Sequence, residues 1–126
     1  MCKRINIALN ICTYNRLEYV HDNLISIILS RFFKREDYEY FGKLDIFIID
    51  NAGEIDDTCF GCVSDASLNA FIHHIRNSNT GGAGGFQRGI EEIRRLNDKK
   101  HFTHVIFMDD DVRFQMDAFY LLYDFL

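Results

Sequence analysis

Val105-Ile106-Phe107-Met108 runs directly into Asp109-Asp110-Asp111. A short apolar run rich in β-branched and aromatic residues predicts a strand over residues 104–108, and the aspartates close it. Three carboxylates at one strand end repel each other unless a cation or hydrogen-bond donors compensate. Hard divalent cations such as Mg²⁺ and Mn²⁺ take oxygen ligands and bridge carboxylates to a diphosphate. Alone, the triplet reads as a solvated acidic turn. Its place after a strand, with three further polar strand ends upstream, gives the cation reading more weight.

Those other ends are found by working backwards and forwards from the aspartates. Ile5, Ile7, Leu9 and Ile11 alternate with Asn6, Ala8 and Asn10, which predicts a first strand running into Thr13-Tyr14-Asn15-Arg16. Leu17, Val20, Leu24, Ile27, Ile28 and Arg31 recur at helical spacing, with Asn15 placed to cap the helix. Residues 32–43 read as the helix end and a loop. A second strand over residues 44–49 ends at Asp50-Asn51-Ala52-Gly53, and residues 54–67 carry no period, so an irregular crossover with a short helix near residues 64–70 is expected. A third strand over residues 71–76 ends at Asn77-Ser78-Asn79-Thr80. A glycine-rich loop, Gly81-Gly82-Ala83-Gly84-Gly85, then opens an amphipathic helix marked by Phe86, Ile90, Ile93 and Leu96. Phe119, Leu122, Tyr123 and Leu126 mark a last helix over residues 116–126.

Strands alternate with helices, and strands 2 and 4 are almost continuously apolar. The expected fold class is α/β, a mostly parallel sheet covered by helices on both faces. Ligands of such open sheets bind beyond the carboxyl ends of the strands. All four polar segments would gather there.

The totals bound the class. A chain of 126 residues makes one domain, 1–126, and its 48% apolar and 26% charged content is that of an ordinary globular protein. A net charge of −5 argues against a nucleic-acid partner. Neither a signal peptide nor a transmembrane segment is visible, so a cytoplasmic location is expected, with the inner membrane face reachable through parts outside this chain. Cys59-Phe60-Gly61-Cys62 is a single pair without the second pair or spaced histidines of a zinc site. Free thiols are expected. The adjacent His73 and His74 would point to opposite faces of their strand.

Each polar strand end has a chemistry. Glycines let backbone approach a ligand closely, and a helix N-terminus favours an anion. Arg88, in the first turns, could reach a phosphate or a sugar hydroxyl. The run is neither a phosphate-binding Walker loop nor the dinucleotide fingerprint, since no Gly-Lys-Ser/Thr closes it and Gln87 stands where glycine or alanine is needed. Asp50 could accept from a ribose hydroxyl or a base N–H, or serve only as a turn residue. Tyr14 could stack on a base and Arg16 lie near a diphosphate; helix capping by Thr13 or Asn15 is the plainer alternative. Glu91, Glu92, Arg94 and Arg95 read as a solvated helix face.

Taken in order, Cys12-Thr13-Tyr14-Asn15-Arg16, Ile49-Asp50-Asn51-Ala52-Gly53, Asn79-Thr80-Gly81-Gly82-Ala83-Gly84-Gly85-Phe86-Gln87-Arg88-Gly89 and Met108-Asp109-Asp110-Asp111 resemble the motifs of family 2 glycosyltransferases with the GT-A fold. The galactofuranosyltransferase-like and rhamnosyltransferase-like branch is the one they look like, and the glycine run followed by the aspartates is the specific part. The resemblance implies a Rossmann-like nucleotide-diphospho-sugar-binding half. Thr13, Tyr14 and Arg16 would lie around uracil and diphosphate, and Asp50 would hold the base or ribose. Asn79, Gly84, Gly85, Arg88, Asp109 and Asp110 would complete the nucleotide-sugar site. Asp109 and Asp111 match the family's D-x-D and would bind Mn²⁺ or Mg²⁺.

The implied function is inverting, metal-dependent transfer of a sugar from a UDP-sugar, or a TDP-sugar, to a glycan or lipid-linked acceptor. In bacteria such transfer commonly serves cell-envelope polysaccharide synthesis. Family members place a catalytic Asp or Glu downstream of the D-x-D. The chain stops fifteen residues after Asp111, so it is expected to be a donor-binding piece, cut before the acceptor half, with no catalytic base of its own. Apolar surface left open by missing strands would favour homo-oligomers. Two other readings stand beside this one: a nucleotidyltransferase, and a non-catalytic nucleotide-binding or interaction module.

Overall fold

The computed structural model describes residues 4–14, 17–51, 70–77, 81–110 and 115–126. The elements run β1 (Ile7–Thr13), α1 (Leu17–Ile28), a 3₁₀ turn (Arg31–Phe33), β2 (Leu44–Asp50), β3 (Ile72–Arg76), α2 (Gly81–Lys100), β4 (His104–Asp109) and α3 (Met116–Phe125). Among the described residues the four strands form one parallel sheet in the order β3-β2-β1-β4. The α/β architecture is the one expected from the alternation of periods. The short helix expected near residues 64–70 and the capping residue Asn15 lie outside the described residues, Ala70 excepted.

Two faces of the sheet carry two cores. Ile7, Leu9 and Ile11 of β1 and Leu44, Ile46 and Ile48 of β2 pack against Val20, Leu24 and Ile27 of α1 and Phe119 and Tyr123 of α3. On the other face, Ala8 and Phe47 pack against Ile93 of α2. The central strands β1 and β2 are therefore buried on both sides, which is why β2 is almost continuously apolar from Ile46 to Ile49 and why the small or polar residues of β1, Ala8 and Asn10, lie buried under α2.

The segment after α1 has a larger role than a plain loop. Phe32 lies edge-on to Tyr40, Phe119 and Tyr123 at 5.0–5.4 Å and stacks on Tyr120. Tyr40 donates to Asp124 at 2.8 Å and Tyr123 to the Glu39 carbonyl at 3.1 Å. Residues 31–43 thus form the aromatic seat of α3.

Two expectations are corrected. The glycine run is not a loop: α2 begins at Gly81, so residues 81–85 are helical. Coverage of β4 on both faces also fails. His104, Ile106 and Met108 turn inward, whereas Val105 and Phe107 are 41% and 51% exposed. Phe86 of α2 reaches only the edge of this strip, T-shaped on Phe107 at 5.3 Å. Both corrections have one cause. Gly85 and Gly89, one helical turn apart, lie directly on β1, where an added Cβ would come within 3.0 Å of Cys12 and Asn10 side-chain atoms respectively. Small residues on that stripe let α2 settle closely over the middle of the sheet and leave the β4 edge open.

Candidate functional site at the carboxyl ends of the strands

In the order β3-β2-β1-β4 the winding reverses beside β1, between β2 on one side and β4 on the other. Open α/β sheets bind ligands in the crevice at such a switch point. Here β1 ends at Thr13 and β4 at Asp109, with Cys12 opposite Asp109 in the register. The Tyr14 amide donates to Asp110 Oδ2 at 3.2 Å, tying the two strand ends together just beyond the sheet. On the other side of β1, Asn51 N donates to the Thr13 carbonyl and Asn77 N to the Asp50 carbonyl, both at 2.9 Å. The polar ends of all four strands thus share one edge.

Two polar rows lie beneath that edge, one on each face. On the α1 face, Thr13 faces Asp50 across the ladder, and both are buried. Thr13 Oγ1 has no hydrogen-bond partner among the described residues. His74 Nε2 approaches Asp50 Oδ2 to 3.6 Å. On the α2 face, Asn77 Nδ2 donates to Asn51 Oδ1 at 2.9 Å, and Asn51 Nδ2 donates to Cys12 Sγ at 3.0 Å. Gly85 closes over Cys12 and Asn51. Cys12 is a free thiol. Burial pushes it above the ordinary thiol range, and the negative charges of Asp110 and Asp109 push in the same direction against the lowering effect of Asn51.

Among the comparisons with known proteins, the model of the family described as Glycosyl transferase family 2 matches residues 9–126. The chain belongs to glycosyl transferase family 2. No curated protein and no solved structure gives a significant match. As a member of this family the chain is a glycosyltransferase in kind, built to meet a nucleotide-sugar donor and an acceptor. Its parallel sheet and flanking helices have the Rossmann-like layout of the GT-A fold. Among the described residues no helix is long and apolar enough to cross a membrane.

Within this glycosyltransferase the residues singled out from sequence divide into three groups. Thr13, Tyr14, Asp50, Gly85, Asp109 and Asp110 meet at the strand edge. Tyr14 and Asp109 are exposed there, Asp110 is half-buried, and Thr13 and Asp50 lie beneath. Gly84 is half-buried in the first turns of α2. Arg88 does not reach toward the aspartates: it pairs with Glu92 at 3.2 Å, two residues beyond Phe86 and so on the opposite flank of α2. Its Nε is buried without a partner among the described residues. Glu92 also pairs with Arg95, and its side chain is only 13% exposed, so it is no solvated surface residue. Arg16, Asn79 and Asp111 lie outside the described residues.

Sequence reasoning gave no role to Asn10, Gly89 or the relay Asn77–Asn51–Cys12. Asn10 occupies an inward position of β1 and donates to the Phe86 carbonyl at 3.2 Å. A polar residue at an inward position of a buried strand, and a glycine four residues after Gly85, were the available signals.

Proposed function

We propose that the crevice between the ends of β1 and β4 holds the nucleotide diphosphate of a sugar donor, a UDP-sugar in preference to a TDP-sugar. The reaction we assign is inverting transfer of that sugar to a glycan or lipid-linked acceptor. One observation carries this reading: the Tyr14 amide and Asp110 carboxylate join β1 to β4 at the switch point, with the exposed Asp109 beside them. The glycine run followed by the aspartates supports placing the chain in the galactofuranosyl- or rhamnosyl-transferring branch.

Each residue contributes through ordinary chemistry. Exposed Tyr14 offers an aromatic face on which a base can stack. Asp50, buried one strand away, offers a carboxylate that accepts from a base N–H or a ribose hydroxyl. Gly85 lets the helix backbone settle on the sheet just beneath this edge, where an added Cβ would press on Cys12 and Asn51. Buried Thr13 Oγ1 supplies a hydroxyl without a competing partner among the described residues.

The donor set at the end of β4 fits a hard divalent cation. Its groups are carboxylates, and one of them, Asp109, is exposed at the strand end. Among the described residues no three metal-ligating side chains converge. Asp109 with Asp111, which lies outside those residues, would hold Mn²⁺ or Mg²⁺. A bound cation would supply Lewis-acid stabilisation of the charge developing on the leaving diphosphate.

Calorimetric titration of UDP with and without Mn²⁺, on the wild type and on Asp109→Ala and Asp111→Ala, tests this reading. Binding that requires Mn²⁺ and drops at least tenfold in either variant is expected. Equal binding by the variants, or none by a folded wild type, would overturn it.

A further inference from the structure

His73 and His74 stand side by side on β3, and each faces an aspartate of β2 on a different side of the sheet. His73 Nε2 meets Asp45 Oδ2 at 2.8 Å on the α2 face. His74 is on the α1 face, paired in register with Ile48, which makes Asp50 its diagonal neighbour toward the strand end. Its Nε2 is 3.6 Å from Asp50 Oδ2, and the two side chains are 13% and 2% exposed. The geometry points to His74 as a positioning residue that orients the Asp50 carboxylate for the nucleoside of the donor. This inference rests on the function proposed above.

A buried carboxylate that must contact a base or ribose needs a fixed direction as well as a charge. Asp50 is held at the level of the backbone, since its carbonyl accepts from Asn77 N at 2.9 Å and its strand is laddered on both sides. The direction of its carboxylate depends in addition on the groups it meets. An imidazole on the inner side, one residue pair deeper in the sheet, attracts Oδ2 inward and so contributes to the direction of the carboxylate. The attraction is of the charge–dipole or charge–charge kind, and the low-dielectric surroundings strengthen it. Ile48, its register partner, is a core residue of the same face, Ile72 packs against that core, and the His74 side chain is itself largely buried. His74 lies behind Asp50 and never reaches the ligand itself.

Because it acts through Asp50, His74 should affect the nucleoside end of the ligand and leave the diphosphate end alone. That separates a positioning role from a general loss of structure. The full chain would be titrated calorimetrically with UDP plus Mn²⁺ and with inorganic pyrophosphate plus Mn²⁺, as the wild type, His74→Ala, His74→Gln, Asp50→Asn and the Asp50→Asn/His74→Ala double variant. His74→Ala should weaken UDP roughly tenfold, in the usual range for coupled neighbours, and leave pyrophosphate unchanged. His74→Gln keeps an N–H donor near the place of Nε2 and should restore most of the loss. In the Asp50→Asn background, His74→Ala should add nothing further.

The inference fails if His74→Ala binds UDP like the wild type, if it loses UDP and pyrophosphate equally, or if its effect persists without the Asp50 carboxylate. Binding of pyrophosphate but not UDP by the wild type would overturn it through Asp50 while leaving the diphosphate site standing. Binding of neither would overturn the whole reading of the β1–β4 crevice.

Discussion

Gly89 has no room for a methyl group. An added Cβ would press on the amide of Asn10, which is fully buried and anchored to the Phe86 carbonyl. Alanine ordinarily gains about 0.5–1 kcal/mol over glycine inside a helix, whereas overpacking a tight contact costs about 1–3 kcal/mol. Gly89→Ala should therefore destabilise the protein by about 1 kcal/mol net in urea melts, and Asn10→Ala in the same chain should relieve part of the strain. A Gly89→Ala protein more stable than the wild type would contradict the close packing. The glycine run shows what was legible at this scale. Its place before a helix and near the aspartates could be read from composition. That Gly85 and Gly89 serve helix-to-sheet contact could not, because it depends on which side chains of β1 the helix lands on.

At the scale of elements, α3 is held by hydrogen bonds as well as apolar contact. Burial and the hydrogen bond to Asp124 push the Tyr40 hydroxyl up to about 12. Its ordinary value is 10.0, so the folded state favours the neutral phenol. That contribution is fully present below pH 10 and is lost as pH rises from 10 toward 12. Melting temperatures of Tyr40→Phe and wild type should converge across that window, the wild type showing the steeper alkaline fall. Parallel curves would show that Tyr40 does not titrate with unfolding. The helical spacing of Phe119, Leu122 and Tyr123 made α3 legible, although Leu122 proves partly exposed while Phe119 and Tyr123 carry the packing. Its seat was not legible: Phe32 and Tyr40 have no common period, and only the folded chain brings them under one helix. The open strip of β4 was missed for a similar reason, since Val105 and Phe107 are as apolar as their buried neighbours.

Taken whole, the molecule has two differently built ends. At the amino ends of the strands, Asp45 is completely buried and meets His73 at 2.8 Å and Lys100 at 3.3 Å. Lys100 also donates to the Ala70 carbonyl and lies over the Phe71 ring. This cluster ties the end of α2 to the sheet. Asp45→Ala would strand two basic groups and should cost about 3 kcal/mol in denaturant unfolding. UDP affinity should hold wherever the variant is folded, because five residues of strand, about 16 Å, separate the cluster from the other edge. A loss of UDP affinity without a loss of stability would contradict that separation. At the carboxyl ends lie the aspartates, Tyr14 and Asp50. The convergence of these ends was legible from alternating periods and the rule for parallel sheets. The detail that was not legible, such as Arg88 turning to Glu92, depends on helix rotation. The measurement that reaches the central claim most directly is paramagnetic broadening of amide signals by substoichiometric Mn²⁺ in the presence of UDP, on the isotope-labelled chain. Signals of Tyr14, Asp109 and Asp110 should vanish first, while those of Lys100 and His101 at the far edge persist; broadening centred away from the β1–β4 crevice, or spread evenly over the chain, would contradict a donor site there.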